Sequence, residues 1–127
     1  MIDDAPRVFT GRLELHAAGA SGWGAWQVVE VSRQLAVGSV ELSAPDGDGC
    51  VECRLTLEDK WQRKGYATEA MGGLIDWAFS HEEVRRIRAE APRRVPASIR
   101  VLEKNGLSHV GDGSAPDTLR FELARPD

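Results

Sequence analysis

The hydrophobic period of this chain changes at one junction, and that change limits what it can fold into. Before the junction, "AWQVVEVS", "LAVGSVELS" and "CVECRLTL" are strand-like runs rich in β-branched residues. "PDGDG" (residues 45–49) joins the second run to the third with the residues a tight hairpin prefers, so three antiparallel strands are expected. From Thr68 the period becomes helical: Met71, Leu74, Ile75 and Ala78 fall at i, i+3, i+4 and i+7, which buries one face. Gly72 and Gly73 within that helix each cost about 1 kcal/mol relative to alanine, which points to close contact between helix and sheet.

The remaining segments are shorter. "RLELHA" (12–17) alternates as a strand and "GASGWG" (19–24) interrupts it. "VRRIRAEA" (84–91) is a strand candidate. Pro96 opens a second helix, "PASIRVLEK", with Val95, Ile99 and Leu102 expected on one face and Gly106 as its stop. "TLRFELA" (118–124) reads as a last strand. No repeat, low-complexity stretch or linker divides the chain, and 127 residues support about one domain, spanning 1–127.

Several function classes lose support here. With 20 Asp plus Glu against 16 Lys plus Arg, the overall charge gives no basis for coating nucleic acid. No apolar run approaches the roughly 20 residues that span a bilayer, and the start lacks a basic region followed by an apolar one, so no membrane role and a cytoplasmic location are expected. Cys50 and Cys53 have C-x-x-C spacing, but they lie in a strand-like run, where residues three apart face opposite ways, and further ligands are not supplied nearby. Two structural or free thiols and no metal are therefore expected. His16, His81 and His109 are scattered and are read as structural or surface residues.

The junction itself reads "WQRKGYATEAMGG". A strand that passes through a short basic, glycine-bearing loop into a helix leaves the first N–H groups of the helix unpaired at the positive end of its dipole. Such a site suits phosphate, with Gly65 permitting close backbone approach and Arg63 and Lys64 adding charge. A solvated turn before an ordinary amphipathic helix is the other reading of this loop alone. It is not a nucleotide-triphosphate loop, because the lysine precedes the glycine.

"WQRKGYATEAMGGLIDWAF" resembles the signature loop and helix of the GNAT acyltransferase superfamily, [Q/R]-x-x-G-x-[G/A], through Gln62, Gly65 and Ala67. "ASIRVLEKNGL" (97–107) resembles that superfamily's later helix, especially in its ribosomal-protein N-acetyltransferase branch. The resemblance implies an α+β fold: a mixed, mostly antiparallel central sheet of about six or seven strands with two main helices. It also implies acetyl-CoA as co-substrate. The pyrophosphate would lie on the amides of Arg63, Lys64, Gly65, Tyr66, Ala67 and Thr68, next to Gln62, and the pantetheine arm beside Leu55 and Leu57. Ser98 is expected in helix packing or cofactor contact, and the pairs Arg85-Arg86 and Arg93-Arg94 on a solvated edge, with the 3′-phosphate within reach of Arg93 or Arg94 as the alternative.

Acetyl transfer to an amine needs a base, because an alkyl ammonium has a reference pKa of about 10.4. The resemblance places Glu52 in that role, and a backbone N–H near Leu57 at the thioester carbonyl. Two departures stand out. Val95 and Leu102 occupy places where superfamily members often carry Asn and a general-acid Tyr. The two helices that usually wall the acceptor pocket are reduced or absent, with only "AGASGWGA" between "RLELH" and "WQVVEV". Trp23, Trp26 and Trp61 would line that opening or cap a thin core. Apolar surface exposed by the missing helices would favour a homodimer with Trp23 or Trp26 near the contact. The implied function is acetyl-CoA-dependent N-acetyl transfer to a small amine or a protein N-terminus. The alternative is a degenerate member that binds coenzyme A or a protein partner without turnover.

Overall fold

A computed structural model describes residues 5–58 and 61–126. Its strands are β1 (Arg7–Phe9), β2 (Leu13–Ala17), β3 (Gly24–Glu30), β4 (Leu35–Leu42), β5 (Cys50–Leu57), β6 (Arg86–Pro92), β7 (Ser108–Asp112) and β8 (Thr118–Ala124). They form one eight-stranded sheet in the order β1-β2-β3-β4-β5-β6-β8-β7. The two helices are α1 (Tyr66–Phe79) and α2 (Pro96–Lys104). Neighbouring strands pair antiparallel except β5 with β6, whose parallel register runs Cys50↔Arg86, Val51↔Ile87 and Glu52↔Arg88.

The three expected strands and the β4–β5 hairpin are present, but the sheet exceeds the expected six or seven strands. The two additions, β1 and β7, are its edges. One is three residues long and the other carries an irregularity between His109 and Gly111, so neither has a clean alternation to read. Helix α1 begins at Tyr66, two residues earlier than its apolar period, because Gly65 in the left-handed conformation (φ 82°) ends the loop directly at the N-cap. Val95 is not on the buried face of α2. It is the N-cap, 41% exposed, and its carbonyl accepts from Ser98 and Ile99, while Leu102 is buried and Ile99 packs on the core.

One face of the sheet carries the core. Leu13, Leu15, Trp26, Val28, Val40, Val51 and Cys53 point to it and meet Met71, Leu74, Ile75 and Ala78 of α1, the face that the helical period marked. Each fully buried aliphatic side chain there contributes about 1.5–3 kcal/mol. The glycine pair allows the close approach expected of it: a Cβ at Gly73 would lie 2.9 Å from Thr10 Cγ2 and 3.1 Å from Leu15 Cδ1.

The opposite face differs from the expectation of bare apolar surface. Gln27, Ser39, Glu41, Glu52, Arg54 and Thr56 are exposed on it, and Glu14 and His16 are half-buried. Cross-strand pairs Arg88–Glu52, Arg88–Glu122, Arg86–Glu122 and Arg120–Glu90 tie the β5–β6–β8 side together. The face that lacks covering helices is polar, so burial of apolar area gives it no drive to dimerise. Trp26 is fully buried within the chain, its Nε1 donating to the Gly22 carbonyl (2.7 Å), and stands 5.0 Å from Trp77. It is therefore unavailable for a subunit contact. Trp23 lies half-buried, edge-on to Trp77 at 4.9 Å, and Trp61 is buried.

Candidate functional site

The site arises where two strands stop pairing. β5 and β6 share three parallel rungs ending at Glu52↔Arg88, yet β5 continues to Leu57 and β6 to Pro92. Beyond those rungs the strands part and leave a wedge-shaped gap. The β4 register fixes which backbone groups face it. Ser43 and Glu52 form a hydrogen-bonded pair (Ser43 N–H to the Glu52 carbonyl, 2.9 Å), so by antiparallel alternation Arg54 and Thr56 also bond to β4. The N–H and C=O groups of Cys53, Leu55 and Leu57 therefore turn towards the gap. Their side chains lie on the helix-bearing face of the sheet, where Leu55 and Leu57 line a cleft of about 380 Å³ with Met71, Ala89, Ala91, Ser98 and Leu102.

The mouth of that cleft is the loop before α1. Gln62, Arg63 and Ala67 line the cleft itself. A smaller adjoining hollow of about 130 Å³ is lined by Arg63, Gly65, Ala67 and Thr68 from the loop side and Ala97, Arg100, Val101 and Lys104 from α2. The first intrahelical bond runs from the Glu69 N–H to the Gly65 carbonyl (3.1 Å), so the N–H groups of Tyr66, Ala67 and Thr68 precede the ladder at the positive end of the dipole. Arg63 also has positive φ (65°), which with Gly65 curls the loop tightly over this end. A helix end of this kind stabilises a nearby anion by about 0.3–1 kcal/mol, and by more when partly buried. Arg63, Arg100 and Lys104 add three cations around it.

Of the residues expected at a cofactor site, Leu55, Leu57, Gln62, Arg63, Gly65, Ala67, Thr68 and Ser98 line one or both hollows. Two do not bring their side chains there. The Tyr66 ring is buried beside Trp61 (6.2 Å) and beneath the Arg12 guanidinium (4.5 Å), and Lys64 enters the geometry through its carbonyl, which accepts from Arg12 Nη1 (2.8 Å). Arg93 and Arg94 pair with Asp112 and Asp117 instead of facing the loop. Arg100 and Lys104, a turn apart on α2, line the hollow beside the loop. Their i, i+4 spacing was visible in the sequence, but nothing there showed which side of α2 meets the loop.

Glu52 stands at the last rung before the strands part, on the face opposite Leu55 and Leu57. Its side chain is 65% exposed and pairs with Arg88 (3.7 Å), which is held in turn by Glu122 (3.0 Å). Leu102, at the place of the expected general acid, is buried and apolar. In the first turn of α1, Glu69 accepts from Thr10 Oγ1, from the Arg12 N–H (2.7 Å) and from Arg12 Nε (2.8 Å). Burial works against its charge, but these hydrogen bonds outweigh that and hold its carboxyl below the usual range. Cys50 and Cys53 are both buried and free, and burial pushes the Cys53 thiol up to about 12, far from thiolate chemistry. No helix among the described residues is long and apolar enough to cross a membrane.

Known proteins share this fold. The acetyltransferase (GNAT) domain family matches residues 2–108. The uncharacterized N-acetyltransferase YjdG of Bacillus subtilis is 36% identical over 89 residues, 69% of this chain and 53% of that protein, so the chain spans about half the length of the curated relative it matches. The acetyltransferase (GNAT family) of Bacillus anthracis superimposes with a TM-score of 0.82 at 16% identity, covering 94% of this chain and 99% of that one. The ribosomal-protein-S5-alanine acetyltransferase of Vibrio fischeri gives 0.73 at 22% identity, covering 81% and 62%. The spermidine N-acetyltransferase of Vibrio cholerae, solved with CoA and spermine, gives 0.70 at 18% identity, covering 80% and 64%. These likenesses show the fold, an α+β arrangement of a mixed, mostly antiparallel sheet and two helices.

Proposed function

Since this chain belongs to the GNAT acetyltransferase family, we propose that it moves an acetyl group from acetyl-CoA to the primary amine of a small molecule or a protein N-terminus. The observation that carries this reading is the gap between β5 and β6. It offers outward-turned backbone groups at Leu55 and Leu57 to an extended amide-bearing arm, and it ends at a helix N-terminus ringed by cations suited to a pyrophosphate. The residues present thus fit coenzyme A as a substrate. Gln62 Nε2 already occupies the Leu57 carbonyl (3.3 Å), leaving the Leu57 N–H as the donor for a thioester oxygen.

The acceptor approaches from the polar face. Glu52 sits there at the rung where the gap opens, reachable by an amine and able to take its proton directly or through water. The amine nitrogen bonds to the carbonyl carbon, the carbon–sulfur bond breaks, and the thiolate leaves. A cysteine thiol has a reference pKa of about 8.5 and a thiolate is a fair leaving group, so a solvent proton serves where Leu102 provides none. The exposed, helix-free face favours a large acceptor such as a protein N-terminus over a small amine that needs an enclosing pocket.

A second reading, binding without turnover, draws on the Arg88–Glu52 pair and on the apolar Leu102. One experiment separates the two. Coenzyme A is expected to raise the melting temperature by mass action, and acetyl-CoA with a mixed amine and peptide pool is expected to release free thiol faster than buffer. A thermal shift without thiol release would favour the binder. No shift at millimolar coenzyme A would remove acetyl transfer and coenzyme A binding alike, leaving only a binder of a protein partner.

A further inference from the structure

A loop that presents amides to an anion has two liabilities of its own, its carbonyls and any carboxylate nearby. Both exist here. The Lys64 carbonyl lies one residue before the Gly65 N-cap, and Glu69 carries a negative charge in the first turn of α1. Left uncovered, either would oppose a pyrophosphate at the Tyr66, Ala67 and Thr68 amides. One side chain from a distant part of the sequence answers both. Arg12, in the turn between β1 and β2, donates through Nη1 to the Lys64 carbonyl (2.8 Å), through Nε to Glu69 Oε1 (2.8 Å), and through its own N–H to Glu69 Oε2 (2.7 Å). Its guanidinium lies 4.5 Å above the Tyr66 ring, and Nη2 stands 3.1 Å from where a Cβ on Gly65 would be.

Resting on the coenzyme A reading above, we propose that Arg12 is a positioning residue for the phosphate loop: it turns the Lys64 carbonyl away and neutralises Glu69, so that the loop shows an anion only donors and positive charge. Thr10 Oγ1, bonded to the same Glu69 oxygen as the Arg12 amide, completes the cover. Arg is suited to this because one planar fork serves a carbonyl and a carboxylate at once, which a lysine ammonium cannot do with the same geometry. The N-terminal β1–β2 hairpin thereby has a part in coenzyme binding, although it lies outside the loop that makes the contacts.

The test is calorimetric titration of coenzyme A into the parent, Arg12→Met, Arg12→Lys and the double variant Arg12→Met/Glu69→Gln, each checked for native circular dichroism. Arg12→Met is expected to weaken coenzyme A at least tenfold, Arg12→Lys to fall between, and the double variant to recover part of the loss because the uncovered charge is gone. S-acetylpantetheine, which lacks the pyrophosphate, is expected to bind Arg12→Met and parent alike. If turnover is measurable, the loss falls in KM for acetyl-CoA and not in kcat. Parent binding with unchanged Arg12→Met affinity would overturn this inference alone, as would a double variant no better than the single one or an equal loss for S-acetylpantetheine. Failure of the parent to bind coenzyme A would overturn the coenzyme A reading first.

Discussion

Gly65→Asp is expected to eliminate coenzyme A binding, with affinity falling by 10²-fold or more and the ligand-induced rise in melting temperature disappearing. Two effects act in the same direction. Gly65 has φ 82° and ψ 0°, a conformation that costs a residue with a Cβ about 1 kcal/mol. The added carboxylate would also stand among the Tyr66, Ala67 and Thr68 amides, taking the hydrogen bonds meant for a phosphate and repelling it at close range. The substitution would draw towards Arg12 as well, whose Nη2 is 3.1 Å from the new Cβ. Gly65→Ala carries the backbone cost without the charge, so isothermal titration of both variants separates the two effects. Equal, small losses for Ala and Asp would show that the amides do not hold an anion.

Glu52→Gln is expected to lower turnover by about 10²-fold or more while leaving coenzyme A affinity at the parent value. The amide keeps the shape of the side chain and removes its basicity. Its loss of the ion pair with Arg88 should matter little to stability, because the side chain is 65% exposed and such pairs contribute about 0–1 kcal/mol. Steady-state rates with saturating acetyl-CoA, alongside a binding titration, give the two quantities. A variant as fast as the parent would return Glu52 to being a surface partner of Arg88.

Much of the site could be read from the order of residues. Local geometry marks the strand-to-helix junction as suited to an anion, the resemblance carried by Gln62, Gly65 and Ala67 suggests which one, and the helical period of Met71, Leu74 and Ile75 named the buried face of α1. What local pattern could not supply was contact between distant segments. Arg12 precedes Glu69 by most of the first half of the chain, and only the packing of the β1–β2 turn against α1 brings them together. The same holds for Arg100 and Lys104, whose meeting with the loop depends on how α2 is seated. The expectation of a bare apolar face failed for a related reason, and it takes away the argument on which a homodimer was expected. Missing helices imply an uncovered face, but whether that face is apolar depends on strand registers, and these put Glu52, Arg54, Arg88 and Glu122 there.

The three parallel rungs have a meaning for how the chain assembles. β1 to β5 form an antiparallel meander of neighbours in sequence, and β6, β8 and β7 form a second antiparallel ladder in which β6 pairs with β8 across α2 and β7. Between the described strands, the three rungs of residues 50–52 with 86–88, extended by the Gly49 carbonyl that accepts from Arg85 and Arg86, stitch the two ladders together across an intervening helix. Contacts between distant segments incur loop-closure entropy before they return any stabilisation, and the seam has three rungs to offset it where the equally distant β6–β8 pairing has seven, so the seam is expected to close late and reopen early. A ligand that lies along the gap touches both ladders and would act as a clasp on the weakest line of the sheet. Amide exchange at Val51 and Arg88 should then slow more on coenzyme A binding than exchange at Val28 or Val40 in the meander, and uniform slowing would deny the seam its separate character.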